Sequence, residues 1–339
     1  MTNIMIDVRL HEPDLTRLRA RSDVHITVTV AGTKEEESAR AQDPEMLAEQ
    51  DVLFCSYPPT NHREMTRLRL VQITSAGYSQ LYGLDLPTRG VRACNASGVF
   101  DTAIAEWNVA MMVNLSRDLR QMIRNQDARQ WLREPRFESE IRGATVGLWG
   151  YGGLARETAR MCKAIGQTVW VLTRDGVKPR RDSFVVPGTG DVDGVLPDHV
   201  FTMQQKHEFL AGLDFLILAI PLTPSTQGII GDNELQALPR RALLLNPARG
   251  PLVQEESLLR ALREGWIAGA ALDTHYYYPM PPDHPLWKLP NVIMTPHIAG
   301  SAQGPFYLSR IWSIFTQNVD RLMAGGPLLN ELTPRQLQE

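Results

Sequence analysis

Cysteine is scarce in this chain: Cys55, Cys94 and Cys162 are the whole complement, without a C-x-x-C pair or a Cys/His cluster. An odd, dispersed set supports neither a disulfide framework nor a zinc site, so each reads as a small reduced hydrophobe and no metal is expected. Long apolar runs are missing too. Leu213 to Leu222 is broken by Asp214 and Pro221, and it falls well short of the roughly 20 residues a bilayer span requires. With Asp7, Arg9 and Glu12 so early, the start of the chain has no uninterrupted apolar segment resembling a signal peptide. A cytoplasmic protein with no membrane partner is expected. A basic excess is also absent: 35 Lys and Arg against 38 Asp and Glu leave a net charge of −3. The basic residues are scattered rather than striped, which argues against nucleic acid as a partner.

What is present is ordinary globular material, 43% hydrophobic and 22% charged, over 339 residues. That length exceeds one compact core of typical size, so two domains are expected. In the first hundred residues short apolar runs alternate with polar helical stretches: Ile4 to Val8, Ile26 to Val30, Val52 to Cys55, Leu70 to Ile73 and Val91 to Cys94. This rhythm predicts an α/β unit with a buried parallel sheet. From Thr102 to about Asn125, apolar Ile104, Met111, Leu115, Leu119 and Met122 recur at helical spacing, predicting one long amphipathic helix that connects two domains. A second series of strands is expected at Thr145 to Trp149, Thr168 to Leu172, Phe215 to Ile220, Ala242 to Leu245, Ala268 to Leu272 and Val292 to Met294. Their lack of polar alternation fits strands covered on both faces. Between Asp175 and Val200, the breaks Pro187, Gly188, Gly190 and Gly194 mark a long connection, either a functional flap or a loose excursion. The loose excursion is the favoured reading. The amphipathic stretch from Pro305 to about Met323 is expected to pack back on the N-terminal domain.

The sharpest local signal is Val146-Gly-Leu-Trp-Gly150-Tyr-Gly152-Gly153-Leu154-Ala155, a strand running into a Gly-rich turn and a helical stretch. It fits G-x-G-x-x-G/A at Gly150, Gly152 and Ala155. The first glycine permits the turn, the second lets backbone N–H groups approach a pyrophosphate, and the small third residue lets helix and strand pack. The helix N-terminus adds partial positive charge. Farther on, Leu245-Asn-Pro247-Ala248-Arg249-Gly250, Ala270-Ala-Leu-Asp273 and Thr295-Pro-His297 follow, with Pro221-Leu-Thr-Pro-Ser-Thr226, Asp283-His-Pro-Leu-Trp287 and the pair Ala105-Glu106.

Together these motifs resemble the D-2-hydroxyacid dehydrogenases, of the glyoxylate and hydroxypyruvate reductase kind, over roughly residues 70 to 325. The first 65 residues match only in rhythm. The resemblance implies two Rossmann-like or flavodoxin-like parallel-sheet domains with a substrate cleft between them: residues 1–101 plus 299–339 binding substrate, and residues 102–298 binding the dinucleotide. It implies a hydride transfer between NAD(P)H and a small anionic 2-keto acid, and a homodimer formed through the long helix. Arg249 would hold the substrate's carboxylate and carbonyl oxygens with paired hydrogen bonds. His297 would exchange a proton with the carbonyl oxygen. Ser75, Ala76 and Gly77 resemble the family's substrate loop, an anion-binding concavity of backbone N–H groups. Cofactor contacts are implied at Gly150, Gly152, Gly153, Leu154, Thr173, Arg174, Pro221, Thr226, Pro247, Ala248 and Asp273.

Two positions depart from the pattern. Where NAD enzymes carry an acidic residue after the second Rossmann strand, this chain has Thr173 and then Arg174, which favours NADP over NAD; Asp175 is near enough to swing in. In Asp273-Thr-His-Tyr-Tyr-Tyr278-Pro279, Tyr278 takes the place of the glutamate that pairs with the catalytic histidine. Family formate dehydrogenases carry a neutral residue there, so the change does not itself imply inactivity. Two rival readings stand beside the keto-acid reductase. One is a nucleotide-sensing binding protein with little or no turnover, against which the retention of both Arg249 and His297 argues; the other is a dehydrogenase of an anion such as formate or phosphite.

Overall fold

The computed structural model describes residues 1–29, 39–134 and 139–338; Val30, the end of one expected strand, lies outside them. The chain divides into two units. One comprises Met1–Phe100, Arg181–Val185 and Ala302–Glu339; the other comprises Asp101–Arg180 and Val186–Ser301. In chain order the first begins with β1 (Thr2–Asp7), α1 (Glu12–Arg19), β2 (Val24–Val28), α2 (Pro44–Ala48), β3 (Val52–Cys55), β4 (Leu70–Ile73) and β5 (Arg92–Cys94). These strands form a five-stranded parallel sheet in the order β2-β1-β3-β4-β5. Every residue of β3 and β4 is buried, as expected of strands covered on both faces.

The second unit opens with α3 (Asp101–Ser116) and α4 (Leu119–Asp127). The sequence predicts one helix here; the chain instead breaks at Asp118, which takes a left-handed φ of 47°. Apolar periodicity continues through such a kink, so spacing alone does not reveal it. There follow β6 (Thr145–Trp149), α5 (Gly153–Ile165), β7 (Thr168–Leu172), β8 (His199–Phe201), α6 (Lys206–Ala211), β9 (Phe215–Leu218), α7 (Asp232–Ala237), β10 (Leu243–Asn246), α8 (Glu255–Glu264), β11 (Gly269–Leu272) and β12 (Val292–Met294). Seven parallel strands run in the order β12-β11-β10-β9-β6-β7-β8. The order reverses between β6 and β9, which opens a crevice at their carboxyl ends. Strand β8, unforeseen in the sequence, pairs with β7 at the sheet edge.

The chain returns to the first unit as α9 (Pro305–Met323) and α10 (Pro334–Gln338). Trp312 and Phe315 of α9 pack on Phe54, the latter stacked with centroids 4.2 Å apart. Among the described residues, no helix is long and apolar enough to cross a membrane. None of their His, Cys, Asp and Glu side chains group into a metal site. The three cysteines are buried and unbridged, and burial pushes the Cys162 thiol up to about 12.

The long connection after β7 is pinned rather than loose. The Arg156 guanidinium, buried on α5, donates to the carbonyls of Lys178 at 2.5 Å, Tyr151 at 3.1 Å and Asp191. The Asp191 carboxylate accepts from Tyr151 Oη at 2.6 Å and from the N–H groups of Gly194, Val195 and Leu196. Residues Arg181–Val185 belong to the first unit, where Asn330 N–H donates to Asp182 O at 2.8 Å and Phe184 N–H donates to Asn330 Oδ1 at 3.1 Å. Glycine and proline content marks irregular backbone, but it carries no information about which buried arginine gathers the carbonyls.

Candidate active site

Parallel strands aim their carboxyl ends at one edge of the sheet, and each candidate residue of the second unit lies just beyond such an end. Gly150 to Leu154 follow β6, Thr173 and Arg174 follow β7, and Pro221 and Thr226 follow β9. Pro247, Ala248 and Arg249 follow β10, Asp273 and Tyr278 follow β11, and His297 follows β12.

The β6 turn has room for a dinucleotide. Gly150 has a φ of +96°, and a Cβ there would lie 2.7 Å from Ala219 O, so only glycine serves. A Cβ on Gly152 would meet nothing within 4 Å, which leaves open space over the turn. The first hydrogen bond into α5 runs from Arg156 N to Gly152 O at 3.0 Å. The N–H groups of the residues before Arg156 therefore have no partner within the helix and are available to an anion. Beyond β7, Arg174 is exposed and, among the described residues, paired only with its neighbour, Nε to Asp175 Oδ2 at 3.1 Å. Thr226 Oγ1 donates to Pro221 O at 2.7 Å and accepts from Thr223 N–H at 2.8 Å, bracing the loop after β9.

His297 sits at a φ of +58°, a conformation costing a β-carbon residue roughly 1–2 kcal/mol. Asp273 offsets that cost. Its carbonyl accepts from His297 N–H at 2.8 Å, and its buried carboxylate accepts from Thr295 Oγ1 at 2.6 Å, Ile298 N–H at 2.9 Å and Ala299 N–H at 3.0 Å. Trp107 Nε1 donates to the same Thr295 hydroxyl at 3.1 Å. Tyr278 Oη lies 3.1 Å from His297 Nδ1 and accepts from His275 N–H at 3.2 Å. The ring of His275 is fixed by Nε2 on Thr295 O at 2.8 Å. Burial, then the Arg249 cation, holds the His297 imidazolium below its ordinary pKa, and the Asp273 charge opposes them in part. Arg249 is itself placed by Asn246, whose side-chain oxygen accepts from Arg249 N–H at 3.2 Å while its amide donates to Arg249 O at 2.8 Å. The structure thus brings Arg249, His297 and Tyr278 into one cluster beside Asp273.

The sequence of the second unit matches the profile of the D-isomer specific 2-hydroxyacid dehydrogenase NAD-binding domain over residues 109–299. The chain belongs to that family. A glyoxylate reductase of Thermofilum pendens is 30% identical over 298 residues, 86% of this chain and 83% of that one. A D-isomer specific 2-hydroxyacid dehydrogenase from Xanthobacter autotrophicus, solved with NADPH and MES, is 26% identical with a TM-score of 0.75, covering 98% of each chain. A family protein from Aeromonas salmonicida shares the fold with a TM-score of 0.77 at 23% identity, covering 98% of this chain and 99% of that one. As a D-2-hydroxyacid dehydrogenase, the chain is an NAD(P)-dependent oxidoreductase acting on CH–OH donors.

Ser75, Ala76 and Gly77 lie in the first unit, beyond β4. Ser75 Oγ donates to Gly77 O at 2.7 Å and Asn95 Nδ2 donates to Ala76 O at 2.8 Å, fixing the turn, and the N–H groups of Ala76 and Gly77 have no hydrogen-bond partner among the described residues. Sequence reasoning did not find the residues that hold His297: Thr295, Trp107 and the His275 backbone. Thr295 lies in the Thr-Pro-His turn and His275 just after Asp273, whereas Trp107 is far from both in sequence and nothing local marks it.

Proposed function

We propose that this dehydrogenase reduces small 2-keto acids such as glyoxylate or hydroxypyruvate, with NADPH as the preferred cofactor. Arg249 is assigned the substrate's carboxylate and carbonyl oxygens, and His297 the proton. Residues 102–298 serve as the dinucleotide-binding domain, and residues 1–101 plus 299–339 serve as the substrate-binding domain. Within the latter, the unpaired N–H groups of Ala76 and Gly77 fit an anion. The observation that carries the reading is the His297 cluster, in which the imidazole is held on Nδ1 by Tyr278 while the Arg249 cation bears on the same ring.

When bound, the nicotinamide supplies a hydride to the carbonyl carbon. The chain's own residues then have three tasks. Arg249 presents a planar fork of donors to paired oxygens. His297 gives its Nε2 proton to the carbonyl oxygen as charge develops there. Tyr278 orients the ring: beside the His275 N–H it already accepts, its oxygen has a second lone pair for the Nδ1–H of the protonated ring, which leaves the Nε2 proton as the one transferred. Pro221, Thr226, Pro247, Ala248 and Asp273 stand beyond the strand ends, where they would hold the nicotinamide half; Asp273 acts by fixing the His297 turn.

The NADP preference rests on Thr173 and Arg174. An exposed Arg174–Asp175 pair is weak, and a 2′-phosphate offers the guanidinium a doubly charged partner instead. The relative from Xanthobacter autotrophicus was solved with NADPH, whereas one from Lactobacillus delbrueckii, 21% identical, was solved with NAD. A homodimer is assigned to the apolar surface of Leu119, Ile123 and Trp287 beside Arg120, and light scattering checks it.

The test is NADPH oxidation with a panel of keto acids. Turnover of glyoxylate or hydroxypyruvate that Arg249→Ala abolishes supports the proposal. Tight NADPH binding with no turnover of any keto acid replaces it with a nucleotide sensor, and reduction of NADP by formate or phosphite replaces it with a different dehydrogenase.

A further inference from the structure

Gly153 is the second of two adjacent glycines at the start of α5, and the space beside it is occupied. A Cβ there would overlap Asp101 Oδ2 and lie 2.5 Å from Arg180 Nη1. Glycine at this position therefore lets a carboxylate and a guanidinium close on the first turn of the helix. Arg180 comes from the long connection after β7, whose backbone is fixed on both sides of it: Arg180 N–H donates to Val192 O at 2.8 Å, and Lys178 O accepts from the buried Arg156. Its Nη1 is sealed from solvent and has no hydrogen-bond partner among the described residues. A buried charged donor left in that condition is costly and marks a missing acceptor.

The neighbouring groups do not supply that acceptor. Asp191 is taken by Tyr151 Oη and three backbone N–H groups, and Arg156, a donor-only cation, has no acceptor to offer. Asp101 shares the spot, but one carboxylate engages only part of a guanidinium's five N–H donors. Arg156, held below its ordinary pKa by burial and also by the Arg180 cation, reports two positive charges close together. An anion at the α5 N-terminus relieves that repulsion and accepts from the orphaned donor, and in a dinucleotide site the group at that place is the pyrophosphate.

We propose that Arg180 is a pyrophosphate-binding residue, delivered to the Gly-rich turn by the connection after β7, and that Gly153 is glycine to admit it. This inference rests on the dinucleotide reading of the second unit. It gives that connection a role: Arg156 gathers its carbonyls so that Arg180 stands over the helix start. The contact is common to NADPH and NADH, which separates it from Arg174, assigned to the 2′-phosphate that NADPH alone carries.

Calorimetric titration of Arg180→Gln tests the assignment with NADPH, NADH, ADP-ribose and adenosine 2′-monophosphate. The three pyrophosphate ligands should each weaken by a similar factor, about tenfold for loss of a charge-assisted contact, with adenosine 2′-monophosphate unchanged. Unaltered affinity for ADP-ribose overturns the proposal. So does a loss confined to NADPH and adenosine 2′-monophosphate, which moves Arg180 to the 2′-phosphate. Should the glutamine variant lose its thermal transition, Arg180→Lys keeps the charge: affinity for all three near wild type supports the contact, and a folded lysine variant that binds none of them overturns it. A wild-type protein that binds neither NADPH nor NADH fails the dinucleotide reading itself, an outcome distinct from any of these.

Discussion

The two parallel sheets of this dehydrogenase both carry polar groups around their carboxyl ends and differ in what those groups do. In the first unit they mainly close the fold. The buried Asp7 carboxylate is bound by Arg40 and Thr29, and Ser56 and Thr74 share a hydrogen bond of 2.9 Å. Buried Gln72 donates to the carbonyls of Ile73, Cys94 and Asn95 and accepts from Asn318 of α9 at 2.8 Å. In the second unit the corresponding groups are left with unused capacity. Among the described residues Arg174 holds only its neighbour and Arg180 Nη1 holds nothing, and the cluster at His297 is partly open, with Tyr278 60% exposed. A polar group satisfied inside the protein contributes stability; one left partly unsatisfied at a strand end is available to a ligand. Substitutions should separate accordingly, in activity for the second unit and in stability for the first.

The largest separation is expected at Arg249. Removal of its guanidinium takes away the substrate's paired charge-assisted bonds and should lower kcat/KM for glyoxylate on the order of 10³-fold, about 4 kcal/mol, with the melting temperature nearly unchanged. The counterpart in the first unit is Asn318→Leu, which keeps the volume but strands Gln72 Oε1 and the N–H of Leu329, now bonded to Asn318 Oδ1 at 2.7 Å. Unfolding in urea should show a loss of about 2–3 kcal/mol, with kcat/KM per folded molecule retained. A loss of activity without a loss of stability at Asn318 would break the contrast.

This division was only half legible in the sequence. The strand positions, the Gly-rich turn and the order of Arg249, Asp273 and His297 were readable because buried parallel strands are continuous apolar runs and because each motif is local. The kink at Asp118 was not, since a single left-handed residue leaves the apolar period intact. Nor was the connection after β7. The glycine and proline breaks near its centre read as slack, whereas its order comes from Arg156 and Asp191, 35 positions apart in the chain and joined only in three dimensions. Arg180 was passed over for the same reason: nothing in Lys-Pro-Arg-Arg says which cation faces Gly153.

A smaller effect is expected at the cofactor's far end. Arg174→Ala should weaken NADPH about tenfold, roughly 1.4 kcal/mol, and NADH little. Fluorescence titration with both cofactors decides it, and a wild-type protein that binds NADH at least as tightly as NADPH removes Arg174 from the 2′-phosphate.

The smallest effect, at Tyr278, tests how the second unit uses its partly open cluster. Toward the protonated His297 the Tyr278 hydroxyl accepts from Nδ1–H as a neutral group. A carboxylate accepts from the imidazolium directly and carries a full negative charge, so it favours the cation where tyrosine does not. Burial and Arg249 already lower the His297 pKa. Keto-acid reduction uses the protonated ring, so its kcat/KM should be full below that lowered pKa and fall as pH rises through it, beginning below the ordinary imidazole value. Tyr278→Glu should move this alkaline limb upward by about one pH unit, equivalent to about 1.4 kcal/mol of coupling. Tyr278→Phe, which removes a neutral hydrogen bond and adds no charge, should move it little. The reverse reaction uses the unprotonated ring, so the acidic limb of hydroxy-acid oxidation should shift upward with the same variant. A glutamate variant that folds and turns over with both limbs in place would show that His297 takes its partner from elsewhere, with Asp273 the carboxylate whose charge already acts on it.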